Sequence, residues 1–214
     1  MYLLGNILAV HLVEDVLERR NVVILPHGVD TVIHGDIADA VAGKEVLNEC
    51  AGLPVLHDAM GLSPMIVSIG INRIRKVIVE RLSSLSLQPS TLSFPTAIHP
   101  SAVVSSSAMI GEGTVVMAGA VINADTVVGR HCIVNTGATV DHDCVIEDYC
   151  HIAPGVHISG GTHVGEGTWI GVGSCVIQYL NIGKNCMIGA GSVVVKDIPD
   201  NVTAFGCPAK VYDF

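Results

Sequence analysis

The chain has 214 residues and a formal net charge of −9, and half of it is hydrophobic although only 4% is aromatic. That length suits one or two domains with cores of their own. The acidic balance disfavours a nucleic-acid partner, which needs a basic face, but not a small anionic ligand held by backbone N–H groups.

The opening "MYLLGNILAVHLVED" is apolar but has neither a basic n-region nor a small-residue cleavage site, so no signal peptide is expected. No stretch approaches the ~20 uninterrupted apolar residues of a membrane span. Seven cysteines without a secretory signal fit reduced thiols, and the expected location is the cytoplasm. Residues 1–88 read as a small N-terminal α/β, Rossmann-like domain. "ILAVHLVEDVLERR" has helical spacing, "VVIL" and "MIVSI" read as buried strands, and "NRIRKVIVERLSSL" reads as an amphipathic helix. "SLQPSTLSFP" marks a change of composition, and residues 89–97 are taken as a linker.

Residues 98–199 are organised by a repeat of six. Stepping by six from Ile98 to Val194 meets Ile or Val at all seventeen positions, without an insertion. Two places before each sits a mostly small residue, among them Ala102, Thr114, Cys132, Cys144 and Cys150. Two inward side chains around one outward one make a short strand. The other three residues turn a corner, where Gly, Asn and Asp tolerate the backbone angles. Three such units close a triangular coil of eighteen residues, and stacked coils form a parallel β-helix. Apolar content supplied by Val, Ile and Ala rather than by rings suits so narrow a core. Cys132, Cys144, Cys150 and Cys186 fall at the small inward place, where a thiol acts as a small buried hydrophobe rather than a metal ligand or redox group.

"VDHDC" (140–144) puts His142 and Asp143 at a corner. A strand would point neighbours to opposite faces, whereas a corner lets Asp143 approach the imidazole, hold its tautomer and raise its basicity. His151, His157 and His163 are spaced by six, so they lie outward on three successive faces and cannot converge within one chain. No metal site is expected.

"VNTGATVDHDCVIEDYCHIAPGVHISGG" (134–161), "FPTAIHPSAVVS" (94–105), "IGINRIRK" (69–76) and "NIGKNCMIGAGSVVVKDIPDNVTAFGCPAKV" (181–211) together resemble the hexapeptide-repeat nucleotide-sugar acetyltransferases of sialic acid, bacillosamine and perosamine biosynthesis. The resemblance runs from about residue 64 to the C-terminus. It implies a left-handed helix, a homotrimer, and transfer of acetyl from acetyl-CoA to the amino group of a UDP- or GDP-linked amino-deoxy sugar. It also implies that His142 is the general base and that Asp143 orients it. His151, Gly160, Gly161, Gly171, Val172, Gly189 and Ala190 would then serve acetyl-CoA, with the tail 200–214 near that site. Gly5, Gly70, Asn72, Arg75 and Asn135 would serve the sugar nucleotide. The γ-class carbonic anhydrases, a metal-binding hexapeptide family, use two histidines five apart, and no pair among the ten here has that spacing.

The resemblance is thinner at the N-terminus. Where the family carries Gly-x-Gly-Gly-His after its first strand and an Asp pair after its second, this chain reads "GNILA" (5–9) and "LPHGV" (25–29). Only Gly5 survives of the first motif, and Pro26-His27 stands in place of the acids. Two other readings are O-acetylation of a sugar or another small acceptor, and a non-catalytic β-helix scaffold.

Overall fold

A computed structural model describes residues 23–24, 66–67, 69–85 and 93–212. The chain divides into two compact units, Met1–Pro95 and Thr96–Phe214.

In the first unit β1 (Val23–Ile24) pairs antiparallel with β2 (Ile66–Val67). The rest of the expected α/β, Rossmann-like domain that precedes this pair or separates its strands lies outside the described residues. The helix expected from "NRIRKVIVERLSSL" is present as α1 (Asn72–Leu85). It buries Ile74, Val79 and Leu82 and turns Arg73, Val77 and Glu80 outward, the periodicity of an amphipathic helix. The expected helix at 7–20, Gly5 and Pro26-His27 lie outside the described residues.

The second unit is the parallel β-helix. Seventeen two-residue strands run from β3 (Ala97–Ile98) to β19 (Val193–Val194). They distribute in rotation onto three parallel faces of six, five and six strands, the last extended to eight by two C-terminal strands. From β3 to β16 each strand pairs with the one eighteen residues on, as in Thr139↔His157 and Val140↔Ile158. The inward Ile and Val column is continuous: from Val116 to Val194 every member is 2% exposed or less. Ile98 is 40% exposed, because the first coil has no strand on its outer side.

The small inward positions do more than fill space. Thr114, Thr126, Thr168 and Ser174 each donate a side-chain hydrogen bond to the carbonyl fifteen residues ahead, at 2.6–3.0 Å. The thiols of Cys132, Cys144 and Cys150 do the same to Glu147, Ser159 and Gly165 at 3.1–3.4 Å. The cysteines are therefore core residues, as their register requires, and also weak donors to corner carbonyls. Burial pushes the Cys144 thiol above its ordinary pKa, which keeps it protonated and able to donate.

Residues 200–212 do not hang as a tail. β20 (Thr203–Gly206) adds in parallel to β18 (Met187–Ile188) on the eight-stranded face, and β21 (Ala209–Tyr212) folds back on it as a hairpin. Phe205 and Tyr212 stack with ring centroids 4.0 Å apart. No helix among the described residues is long and apolar enough to cross a membrane.

The inward column predicts that Ile152→Ala lowers stability by about 2–5 kcal/mol, read from the denaturant midpoint. Cys144→Ser, which keeps a donor at a small inward place, should cost less. A midpoint unmoved by Ile152→Ala would mean that the column does not hold the coils together.

Candidate active site

His142 and Asp143 sit on the edge between the six- and five-stranded faces, in the corner that joins β10 (Thr139–Val140) to β11 (Val145–Ile146). Asp143 has φ of 56°, the left-handed conformation that lets the chain turn there. That turn brings its carboxylate back onto its neighbour, so His142 Nδ1 donates to Asp143 Oδ2 at 2.7 Å. With the proton held on Nδ1, Nε2 carries the lone pair.

Asp141 completes the arrangement. Its Oδ1 accepts from the His142 backbone N–H at 2.9 Å and from Asn123 Nδ2 at 2.8 Å, and these bonds hold its carboxyl below the usual range. The hydrogen bond to Asp143 first, and the negative charge of Asp141 second, raise the His142 imidazole above its ordinary pKa. The result is an exposed, oriented and strengthened base. Asp141 was visible in "VDHDC", but only the corner shows that its carboxylate faces the His142 amide.

One coil above, Gly160 and Gly161 are required by side chains rather than by turning alone. A Cβ on Gly160 would lie 2.8 Å from His142 Nε2 and 2.7 Å from Cε1, so the imidazole rests on bare backbone. A Cβ on Gly161 would meet the ring of Tyr179, which comes down from the next coil. Tyr179 is 72% exposed, and nothing in its hexad singles it out by sequence alone.

His151 belongs to the same coil as His142 but to β12 (His151–Ile152), on the eight-stranded face, across the prism from the His142 edge. It points outward as its register requires, yet it is only 6% exposed, and it stacks on Trp169 with centroids 4.6 Å apart. Its Nε2 lies 3.3 Å from Asn135 Nδ2. The amide nitrogen can only donate, so Nε2 accepts and the ring proton lies on Nδ1.

The residues expected to serve acetyl-CoA therefore divide between two edges. Gly160 and Gly161 lie beside His142, while Gly171, Val172, Gly189 and Ala190 lie on the edge between the eight- and six-stranded faces. Asn135 lies on that second edge as well. A Cβ on Gly171 would collide with Ile188 O and Ala190 N at 2.6–2.7 Å, and one on Gly189 with Phe205 Cβ at 2.6 Å. Both edges border the six-stranded face.

In the first unit Gly70, Asn72 and Arg75 do come together. Arg75 is 1% exposed; it donates to Ile69 O at 2.6 Å, Gly70 O at 3.3 Å and Asn72 Oδ1 at 2.8 Å. The guanidinium thus shapes its own loop from inside.

His157 and His163 occupy the other two faces, as the spacing by six requires. His157 Nδ1 meets Thr139 Oγ1 at 2.9 Å, and His163 Nε2 meets Glu147 Oε1 at 3.1 Å. Among the described residues no group of three or more His, Cys, Asp or Glu is placed to hold a metal ion. A shallow groove on the five-stranded side, lined by His163, Asn181, Lys184 and Asp197 among others, holds none of the expected site residues.

Comparison with known proteins bears on this geometry. Residues 125–160 match the family described as bacterial transferase hexapeptide (six repeats). The chain is similar to a histidine-to-asparagine mutant of perosamine N-acetyltransferase from Caulobacter crescentus, solved in complex with CoA and GDP-perosamine. The identity is 45% and the TM-score 0.72, with 77% of this chain and 75% of that one covered. It is also similar to the acetyltransferase domain of PglB from Neisseria gonorrhoeae in complex with acetyl coenzyme A, at 48% identity over 69% of each chain and a TM-score of 0.65. Among curated relatives, galactoside O-acetyltransferase from Lactococcus lactis is 64% identical over 36 residues, a stretch that spans only 17% of each protein.

The electrostatics around His142 predict that its imidazole titrates above the ordinary histidine value of about 6.5, as followed by NMR of the ring protons. Asp143→Asn removes the largest cause of that shift and should move the midpoint to lower pH. An unchanged midpoint would separate the carboxylate from the basicity of the ring.

Proposed function

This chain belongs to the hexapeptide-repeat sugar acetyltransferases, and on that premise we propose that it moves the acetyl group of acetyl-CoA to the amino group of a UDP- or GDP-linked amino-deoxy sugar. The observation that carries the reading is the oriented imidazole at the His142 edge. An amine attacking a thioester must lose a proton, and a neutral base near pH 7 is the group to take it. The amine nitrogen bonds to the acetyl carbon while His142 Nε2 accepts its proton. The C–S bond then breaks, and the imidazolium returns the proton to the departing thiolate as free CoA forms. Asp143 holds the ring throughout, and Asp141 adds negative charge that favours the imidazolium.

The division of the expected residues over two edges supports a homotrimer of left-handed helices with a shared cleft. A thin pantetheine arm that touches both His142 and the Gly171–Gly189 edge has to run between two copies, because within one copy the whole six-stranded face separates those edges. On this reading His142, Gly160 and Gly161 come from one subunit, and His151, Asn135, Gly171, Val172, Gly189 and Ala190 from its neighbour. Trp169 and the outward Val, Met and His residues of the faces suit close packing about a threefold axis. Gly5, Gly70, Asn72, Arg75 and Asn135 are assigned to the sugar nucleotide and the reaction to the cytoplasm, with no metal in the step.

A panel of 4-amino UDP- and GDP-sugars with acetyl-CoA and a free-thiol readout tests the activity. Release of CoA with one of them is expected; release only with hydroxyl acceptors would favour O-acetylation, and release with none would favour a scaffold. His142→Ala should cut turnover by about 10²–10⁴-fold while leaving acetyl-CoA binding much less affected. Asp143→Asn should cost less, and His151→Ala should raise the KM for acetyl-CoA. Near-normal turnover in folded His142→Ala protein would remove His142 from the mechanism. Sedimentation should give a trimer, and an active monomer at assay concentration would rule out the shared cleft.

A further inference from the structure

The edge that carries His142 has a second ring on it. Tyr179 adopts φ of 59°, in the left-handed region. Most of the non-glycine residues that share this conformation at corners, including Asp125, Asp143, Asn185 and Asn201, are short polar side chains that tolerate it. His131 and Tyr149 are the other two exceptions, but they are 3% and 8% exposed and stack on each other with centroids 5.3 Å apart, so packing explains them. Tyr179 is 72% exposed. A large residue held in a disfavoured conformation with its ring left in solvent gains little for the fold.

Its placement is specific. The Tyr179 ring descends over Gly161, where a side chain would collide with it, and the His142 ring rises onto Gly160. Two backbone bonds tie the three coils here: Gly161 N–H donates to His142 O at 2.9 Å and Tyr179 N–H to Gly160 O at 3.0 Å. The two rings therefore bracket one Gly-Gly step, the base below and the phenol above, toward the C-terminal coils. Tyr179 shares its coil with Gly189 and Ala190, the uppermost of the residues assigned to acetyl-CoA on the other edge.

We propose that Tyr179 is a binding residue for the acyl donor, its ring forming the wall along which the pantetheine arm of an acyl thioester lies as the acetyl group reaches His142. This rests on the acetyl-transfer reading above. An extended amide-and-methylene chain offers flat apolar area to an aromatic face, and a ring beside the base would keep the thioester carbonyl in line with it.

The test is calorimetric titration of CoA into the full-length protein, together with steady-state kinetics. Tyr179→Gly suits φ of 59° without strain and should keep or raise the unfolding temperature. It should weaken CoA binding and raise the KM for acetyl-CoA by about tenfold, a loss of one wall contact. Turnover should fall much less than KM rises, and the NMR titration midpoint of His142 should stay in place, since His142 and Asp143 are untouched. Tyr179→Phe should recover most of the lost affinity, and Tyr179→Asn, a second residue suited to this conformation, should behave as Tyr179→Gly does. Wild-type CoA affinity in both Tyr179→Gly and Tyr179→Asn would overturn this assignment alone. Failure of the unaltered protein to bind CoA would overturn it together with the acetyl-transfer reading.

Discussion

The eighteen-residue register of the parallel ladder is the constraint on which the rest of this protein depends. Each coil satisfies its backbone groups with the coils above and below, so a residue at one height stands directly over its counterpart eighteen positions earlier. One insertion would move every later side chain to a different face. The absence of any slip between Ile98 and Val194 is what allows Thr, Ser and Cys at the small inward places to reach corner carbonyls with one repeated geometry. The core is thereby both apolar and polar-satisfied, with almost no aromatic residue in it.

The His142–Asp143 contact forms at a corner because that is where the ladder relaxes its alternation. Along a strand, His142 and Asp143 would point to opposite faces; with Asp143 in the left-handed region they meet at 2.7 Å. The same relaxation lets Asp141 bond the next amide and place its charge near the ring. A corner that serves folding by turning the chain thus also assembles a base with two carboxylates around it. The glycines above have a matching double origin. Gly161 turns its corner at φ of 67°, and Gly160 and Gly161 together leave the backbone bare where two rings approach.

Similarity to both N-acetyltransferases and O-acetyltransferases follows from this division of labour. The stretch 125–160 that matches the hexapeptide family is two coils of scaffold with the His142 corner among them. Nitrogen and oxygen nucleophiles both need a base and a thioester held in place.

Much of this was legible in the sequence because a repeat of six with two inward places is itself a structural statement. The β-helix, the core place of Cys132, Cys144, Cys150 and Cys186, the three separate faces of His151, His157 and His163, and the corner place of His142 all follow from counting, since the ladder forbids slippage. The helix at 72–85 was equally plain from its spacing. The eighteen-residue coil also puts His142 and the Gly171–Gly189 column on different edges. Only the folded prism buries His151 against Trp169 and folds residues 203–212 into a hairpin. The antiparallel pairing of Val23–Ile24 with Ile66–Val67 was likewise beyond the sequence, since two short apolar runs carry no mark of direction. Tyr179 is the sharpest case: its significance lies in a ring meeting another coil's glycine eighteen residues away, a contact that exists only once the coils are stacked.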